Sequence, residues 1–113
     1  MISINKLNNF GCNTKDGLER CMNDENFYLK LVKSLIKDMQ LEKLKEELIN
    51  NNLDEAFKIS HSLKGVYGNL AITPIYEKLR DLTEYLRFKE NKNYISLVDE
   101  LIVLNNEFKK LDD

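Results

Sequence analysis

The sequence predicts an all-α protein, an antiparallel up-down four-helix bundle with short N-terminal helices covering one end. Three observations lead to this prediction. The chain contains a single proline, and no stretch keeps the alternation of apolar and polar residues that is typical of a strand. Four stretches instead repeat apolar residues three and four positions apart, which lines one face of an α-helix. The connections between these stretches are short, as in antiparallel bundles.

Two short helices are predicted before the bundle. Residues 3–10 are expected to form a short helical turn. Thr14 is a good N-cap for a second short helix, because its hydroxyl can accept a hydrogen bond from a first-turn amide. This second helix is expected to carry Leu18, Cys21 and Met22.

The first long helix is predicted to begin near Asn23 or Asp24, two residue types that favour the N-cap position. Three consecutive asparagines at 50–52 end it. Its apolar line shifts from Leu41 onward, so we expect the helix to bend near Gln40. The apolar residues before the shift are Tyr28, Leu31, Val32, Leu35 and Met39, and those after it are Leu44 and Leu48.

The second long helix is predicted over residues 52–70. Asn52 stands at the N-cap position with Glu55 three residues later, an arrangement that resembles a capping box. The apolar residues recur at positions i, i+3, i+4 and i+7 and the pattern then repeats, which is a strong helical signal. These residues are Ala56, Ile59, Ser60, Leu63, Val66, Tyr67 and Leu70.

Two further helices complete the predicted bundle. Thr73 followed by Pro74 indicates an N-cap and a first-turn proline, which suits the start of the third helix. Asn91 or Asn93 is expected to start the last one. The third helix carries the apolar residues Ile75, Leu79, Leu82 and Leu86, and the last carries Tyr94, Leu97, Val98, Leu101, Leu104, Phe108 and Leu111.

The composition is that of a soluble globular protein with one domain, residues 1–113. Hydrophobic residues make up 42% of the chain and charged residues 32%, with a net charge of -2. No basic stripe with interleaved aromatics is present, which argues against a nucleic-acid partner. No apolar run can span a membrane, and the initial MISINKLNNF lacks the apolar core of a signal peptide. We expect a cytoplasmic protein, and the initial methionine favours a free-standing one.

The residues that usually bind metals or nucleotides are sparse. Cys12 and Cys21 form no C-x-x-C pair, and only one histidine is available to join them. A structural zinc site is therefore not expected, and both cysteines are interpreted as free thiols in a reducing compartment. No glycine-rich phosphate loop is present. We expect no metal site and no cofactor of the chain's own.

The sequence HSLKGVYGNLA, residues 61–71, contains the only histidine of the chain. At about 100° per residue, His61, Gly65 and Gly68 fall opposite the apolar line, and Lys64 and Phe57 flank them. A glycine inside a helix costs about 1 kcal/mol relative to alanine. We interpret the bare backbone as a surface that a large partner can approach closely.

Each of these residues also has a simpler interpretation. His61 and Lys64 are then solvated surface side chains, and the glycines allow close packing against a neighbouring helix. Phe57 then packs at the boundary against the long helix. The combination of an exposed imidazole, a cation one turn later and a bare surface favours the functional interpretation.

An exposed, neutral imidazole is a good nucleophile. It can also serve as a general base, but no serine, cysteine or carboxylate stands at a matching spacing in the sequence. It can instead accept a phosphoryl group, whose negative charge Lys64 would offset.

At these residues the chain resembles the histidine phosphotransfer (HPt) family of two-component phosphorelays. The family motif is H-x-L-K-G followed by a stretch of small residues that contains glycine. The resemblance extends back to residues 17–32 and forward through the helix after Pro74, so it covers most of the chain. The matching residues are His61, Leu63, Lys64 and Gly65, with Gly68 and Asn69 in a common continuation.

The chain departs from the family pattern at three positions. Members usually have glycine where Ala71 stands, which concerns the end of the helix. Tyr67 occupies a position where small residues are usual, so it is expected to fill core space or to find a hydrogen-bond partner. Many members carry an acidic residue where Thr83 stands.

The resemblance implies a phosphoryl carrier without kinase activity of its own. His61 would be the phosphoacceptor and Lys64 would stabilise the phosphate charge, while Gly65, Gly68 and Phe57 would form the docking surface. The phosphoryl group would come from a response-regulator receiver domain or a hybrid sensor histidine kinase. It would pass to a receiver aspartate, and the receiver would supply the magnesium ion. We expect a monomer.

Two alternatives belong to other functional classes. One is a pseudo-HPt adaptor, a helical bundle that binds receiver domains or other signalling proteins without taking phosphate. The intact His61 and Lys64 argue against it. The other is a catalytic bundle that uses His61 as a general base, for which the sequence offers no partner residue.

Overall fold

The computed structural model describes residues 1–113 and contains helices and no strand. The all-α prediction is confirmed. The chain forms seven α-helices and a final 3-10 turn at Lys110–Asp112. The α-helices are α1 (Ile4–Phe10), α2 (Thr14–Arg20), α3 (Glu25–Ile36), α4 (Gln40–Ile49), α5 (Leu53–Asn69), α6 (Thr73–Arg87) and α7 (Tyr94–Lys109).

The two short N-terminal helices exist as predicted, with different caps. Ser3 caps α1, and α2 is capped by Asn13, whose side chain accepts a hydrogen bond from the Asp16 amide. Thr14, the predicted cap, is the first residue of α2, and its hydroxyl donates to the side chain of Asn8. This bond ties α1 to α2. Cys21 and Met22 lie beyond the end of α2.

The predicted first long helix is two helices, α3 and α4, and this expectation is corrected. Asp24 caps α3 as predicted, accepting from the Phe27 amide at 3.1 Å. The chain then leaves the helix at Lys37, and the carboxylate of Asp38 accepts from the Gln40 amide at 2.6 Å. A short acidic side chain competes in this way with the helical backbone bonds. Met39, expected in the core, is 62% exposed.

The helix that carries the sequence HSLKG, α5, begins after Asn52 as predicted. The side chain of Asn52 does not cap it, because its amide donates to the Glu47 carboxylate of α4 at 2.9 Å. Most of the predicted core face is buried, whereas Val66 is 42% exposed and is wrongly assigned to the core. The buried residues within α5 are Ala56, Ser60, Leu63 and Tyr67.

The connection from α5 to α6 turns at Ala71. The backbone φ of Ala71 is 58°, in the left-handed region that favours glycine. The Ala71 amide bonds to the Gly68 carbonyl and the Ile72 amide to the Tyr67 carbonyl, which together form a Schellman motif. Alanine thus stands at a backbone position that glycine would adopt without strain.

The start of α6 differs in one detail from the prediction. Ile72 is the N-cap, and Pro74 lies in the first turn as expected. Thr73 is the first residue of the helix, and its hydroxyl accepts from the Asn13 amide at 3.2 Å and donates to the Ala71 carbonyl. Thr73 therefore fastens the α5–α6 connection to the start of α2 instead of capping α6.

Helices α5 and α6 run in opposite directions against each other. Gly68 lies against Tyr76, Ser60 bonds to Thr83, and Phe57 lies against Arg87. As the residue number falls along α5, it rises along α6, so the pair is an antiparallel hairpin.

Each of the four helices α4 to α7 packs against two of the others. Helix α5 lies between α4 and α6, and α7 contacts α4 and α6. Asn93 caps α7, as one of the two predicted starts. Twenty-two buried residues, from Ile2 to Phe108, form one hydrophobic core. No helix combines the length and the apolar character that crossing a membrane requires.

The two ends of the chain meet. The Met1 ammonium group donates to the Asp113 carbonyl at 2.6 Å, and the Ile2 amide donates to the Asp112 carboxylate at 2.9 Å. Helix α1 thus lies beside the C-terminal end of α7, where the rings of Phe10 and Phe108 are 5.9 Å apart.

Candidate functional site

His61 lies in the middle of α5 with its side chain exposed, as its position opposite the apolar line predicts. The residues on either side of it along the core face, Ser60 and Leu63, are buried. His61 forms no hydrogen bond and no ion pair with another residue of the chain. Its ring nitrogens are therefore available to a partner, and no side chain of the protein is arranged to activate it as a general base.

Lys64 follows one turn after His61 and is half-buried. It has no acidic partner within ion-pair distance, in contrast to Lys58 on the same helix, which pairs with Glu55 at 3.2 Å. An ammonium group without a carboxylate partner is free to bind an incoming anion. The predicted pairing of an exposed imidazole with a nearby cation is therefore present on α5.

A cleft of about 440 Å³ begins one turn beyond His61, between α2, the end of α5 and the start of α6. Lys64 and Gly65 form its border towards His61. Arg20 of α2 lies in the same cleft, with its Nε 3.1 Å from Asp16 Oδ2 and its guanidinium 3.4 Å from the Asn69 side chain. Arg20 is thus already paired, and Lys64 is the unpaired cation of the cleft.

Gly65 is exposed, and a Cβ atom added there would meet no atom within 4 Å. The surface beside His61 is therefore bare backbone, as predicted. A partner can approach α5 at this point more closely than at any residue with a side chain.

Gly68 has a different environment. A Cβ atom added there would lie 3.0 Å from two ring carbons of Tyr76 on α6. The simpler interpretation, close packing against a neighbouring helix, therefore applies to Gly68, although Gly68 lies opposite the apolar line: its bare backbone allows the Tyr76 ring to pack against α5. A helical wheel shows the direction of a residue on its own helix but not the position of the next helix.

Phe57 is half-buried and lies beside His61, with their ring centroids 5.7 Å apart and an angle of 37° between the planes. The guanidinium carbon of Arg87 lies 4.9 Å from the Phe57 ring centroid. Phe57 therefore contacts α6 through Arg87 and packs against the hydrophobic core.

Arg87 was not found from the sequence. It ends α6, far from the sequence HSLKG, and charged residues at helix ends are common. The signal that identifies it is the hairpin register. With Gly68 opposite Tyr76, each step back along α5 is a step forward along α6, which brings Arg87 opposite Phe57.

Buried hydrogen bonds on the core side of α5 hold this helix against α6 and α7. The Ser60 and Thr83 hydroxyls are 2.6 Å apart, and the Thr83 hydroxyl also reaches the Leu79 carbonyl at 2.6 Å. Tyr67 donates to Asn105 of α7 at 2.8 Å, so it both fills the core and has the hydrogen-bond partner expected of it. Burial raises the pKa of Tyr67 above its usual value.

Cys12 and Cys21 are free and buried, as expected of thiols without a partner. Burial raises the pKa of the Cys12 thiol to about 12, so Cys12 is protonated and unreactive near neutral pH. No group of three or more histidine, cysteine, aspartate or glutamate side chains is arranged to hold a metal ion.

Comparison with protein families, curated proteins and solved structures finds no match for this chain. The chemistry of the site has to be derived from its side chains. They provide a nucleophile without an internal base, an unpaired cation one turn away, and an open helix surface between the nucleophile and a cleft.

Proposed function

We propose that this chain is a histidine-containing phosphotransfer protein of the HPt type. His61 accepts a phosphoryl group and relays it to or from an aspartate of a response-regulator receiver domain. The observation that carries this proposal is the exposed, unpartnered imidazole of His61 beside the bare surface at Gly65. A nucleophile with no base of its own, on a surface open to close approach, suits a reaction in which the partner supplies the other reacting groups.

The transfer is a displacement at phosphorus. A neutral imidazole nitrogen of His61 attacks the aspartyl phosphate, and an N–P bond forms as the P–O bond to the aspartyl carboxyl group breaks. The electron pair leaves with the carboxylate, and the proton on the other ring nitrogen passes to solvent. In the reverse direction a receiver carboxylate attacks the phosphohistidine. The magnesium ion belongs to the receiver.

Lys64 offsets the charge that arrives with the phosphoryl group. A phosphoryl group on a side chain carries about -1.5 to -2 charges at neutral pH. Because Lys64 has no acidic partner, its ammonium group can turn towards the phosphate without first breaking an ion pair. A charge-assisted hydrogen bond of this kind is stronger than one between neutral groups.

An antiparallel up-down four-helix bundle of α4 to α7 is the scaffold we propose for the site. The closed set of contacts among these four helices supports it, as does the opposite direction of α5 and α6. The short helices α1 and α2 then cover the end at which α5 turns into α6, through the bonds of Asn13 to Thr73 and Ala71. Such a scaffold holds His61 on an outer face while its helix stays fixed.

Under this proposal the chain works as a cytoplasmic monomer without kinase activity or a cofactor of its own. Its partners are a receiver domain and a hybrid sensor histidine kinase. Gly65 and the adjoining cleft form the docking surface, and Gly68 contributes by letting Tyr76 close the far side of that cleft.

The test is incubation with a phosphorylated receiver domain. We expect acid-labile, base-stable label to pass to the wild-type chain, as is typical of phosphohistidine. His61→Gln should take up no label while keeping the helical circular-dichroism spectrum, since the side chain is exposed. Label that persists on this variant would exclude His61 as the acceptor.

The second candidate is an adaptor that binds receiver domains without phosphate. The open surface at Gly65 favours it, because docking there needs no phosphoryl group. If the chain is an adaptor, the wild type and His61→Gln should bind a receiver with equal affinity, and neither protein should take up label.

A further inference from the structure

Four side chains from two helices form a row that ends at the imidazole of His61. The Phe57 ring lies 5.7 Å from the His61 ring, and Arg87 lies 4.9 Å from the centroid of the same Phe57 ring. Arg87 is itself held by Glu84, with Nε 3.2 Å from Oε1. The row therefore runs from Glu84 through Arg87 and Phe57 to His61.

We propose that Phe57, held in place by Arg87, is a positioning residue that orients the His61 imidazole for phosphoryl transfer. This proposal rests on the proposed function. Phe57 touches the ring of the nucleophile and not the phosphoryl group, and Arg87 acts on the nucleophile through Phe57.

The physical need for such a residue follows from the exposure of His61. Its side chain forms no hydrogen bond with the chain, so nothing polar selects one rotamer of the imidazole. A nucleophile that must meet a phosphorus atom in line reacts faster when its orientation is fixed beforehand. On a helix, residues i and i+4 are neighbours, so the Phe57 ring lies beside the imidazole on the N-terminal side of His61.

Phe57 is suited to this task because it is held from its other side. An aromatic ring and a cation attract each other when the cation lies within about 6 Å of the ring centroid, and the Arg87 guanidinium meets this condition. Through this contact, a residue of α6 influences the orientation of the Phe57 side chain on α5. Half-burial further limits the motion of the Phe57 ring.

The chain offers matched controls for both residues. Arg80 lies on α6 like Arg87 and is also paired with a neighbouring carboxylate, Asp81, at 3.3 Å, but it contacts no aromatic ring near His61. Phe27 on α3 is a half-exposed phenylalanine that has no contact with His61. Arg80→Gln therefore repeats the chemical change of Arg87→Gln at a site outside the row. Phe27→Leu does the same for Phe57→Leu.

The first measurement is the proton NMR spectrum of the imidazole, which is unambiguous because the chain has one histidine. We expect Phe57→Leu to shift the His61 ring protons, since the ring current of Phe57 is lost, and Arg87→Gln to shift them in the same direction by less. Phe57→Tyr keeps the ring and should keep the wild-type shifts. The two control variants should leave them unchanged.

The second measurement is the rate of phosphoryl transfer from a phosphorylated receiver domain to these variants. Phe57→Leu should slow the transfer by roughly threefold to tenfold through loss of orientation, with a smaller effect for Arg87→Gln. Phe57→Tyr should restore the wild-type rate. Binding of the receiver, measured separately, should not change.

Two results would overturn the proposal. One is a Phe57→Leu variant that transfers phosphate at the wild-type rate, whatever its spectrum. The other is a slower rate with unchanged His61 resonances, which would assign Phe57 to docking. A wild-type chain that takes up no label at all is a different outcome, because it contradicts the proposed function while the resonances still report whether Phe57 orients His61.

Discussion

Two glycines three residues apart on one helix differ in their surroundings, and this difference predicts opposite responses to the same substitution. Gly65→Ala adds a methyl group in open space and should raise the free energy of unfolding by up to about 1 kcal/mol through helix propensity. Gly68→Ala must displace the Tyr76 ring, since the new Cβ atom would lie 3.0 Å from two of its carbons. We expect it to stabilise the protein less than Gly65→Ala does, or to destabilise it.

Thermal and denaturant unfolding of the two variants measures this difference. In a Tyr76→Ala background the obstacle is removed, so Gly68→Ala should then stabilise the protein as much as Gly65→Ala. Gly65→Ala should also slow exchange with a receiver, because the methyl group stands on the surface beside His61. If Gly65→Ala lowers the free energy of unfolding and leaves phosphoryl transfer unimpaired, Gly65 serves helix packing and not docking.

Lys64 is predicted to speed phosphoryl transfer without stabilising the fold. Its interaction with phosphate at a solvated site, on the order of 1 kcal/mol, corresponds to about a fivefold change in rate. Lys64→Ala should therefore slow transfer severalfold and leave the melting temperature unchanged. Lys58→Ala is the control, since Lys58 stands three residues before His61 but pairs with Glu55. If Lys64→Ala and Lys58→Ala slow phosphoryl transfer equally, Lys64 has no specific role and acts only as an ordinary surface charge.

At the scale of elements, the buried hydroxyl pair of Ser60 and Thr83 fixes α5 on α6. Thr83→Val removes one partner and leaves the Ser60 hydroxyl buried without it, which costs about 1–3 kcal/mol. Adding Ser60→Ala removes the unsatisfied group, so the double variant should regain part of that loss. Equilibrium unfolding in denaturant checks both values. If Thr83→Val is as stable as the wild type, the pair of hydroxyl groups does not stabilise the hairpin of α5 and α6.

The helices also show how far the pattern of single residues predicts an element. Apolar spacing located every long helix, because a buried face must repeat at the helical period. It indicated only a bend near Gln40 and not the interruption after Ile36, since Met39 continues the apolar spacing while Asp38 turns its carboxylate to the Gln40 amide. The shift of the apolar line at Leu41 thus shows that the helix changes direction, whereas the hydrogen bond of Asp38 that ends it does not follow from the apolar pattern.

At the scale of the whole molecule, burial of Cys12 links stability to alkaline pH. The pKa of its thiol is raised from 9.0 to about 12 in the folded chain, so the unfolded chain loses this proton first. The contribution is fully present below pH 9 and declines as the pH rises towards 12. Burial raises the pKa of Tyr28 and of Tyr67 as well, which acts in the same direction.

Denaturant unfolding as a function of pH measures this decline. Cys12→Ala removes the thiol and should make the alkaline loss of stability less steep than in the wild type. The two tyrosines remain in that variant, so a smaller decline should persist. An identical pH profile for both proteins would show that the thiol is not protected from ionisation by the fold.

The candidate site was predictable to the extent that it lies on one helix. The exposure of His61, the nearness of Lys64 and the bare surface at Gly65 all follow from positions along α5. Arg87 and Tyr76 act across the boundary between α5 and α6, so their roles depend on the register of the hairpin. A register of this kind is set by the turn at Ala71 and by packing, and neither is visible in the spacing of residues on one helix.

The meeting of the chain ends has a consequence for how this unit can be connected to others. The Met1 ammonium group lies 2.6 Å from the Asp113 carbonyl. Segments of a host protein joined to the two ends would therefore meet this unit at a single point on its surface. Closely spaced termini are what permit circular permutation and insertion of a domain into a host loop. The same geometry would let a host protein carry this bundle as a side branch, with no interruption of its own main chain.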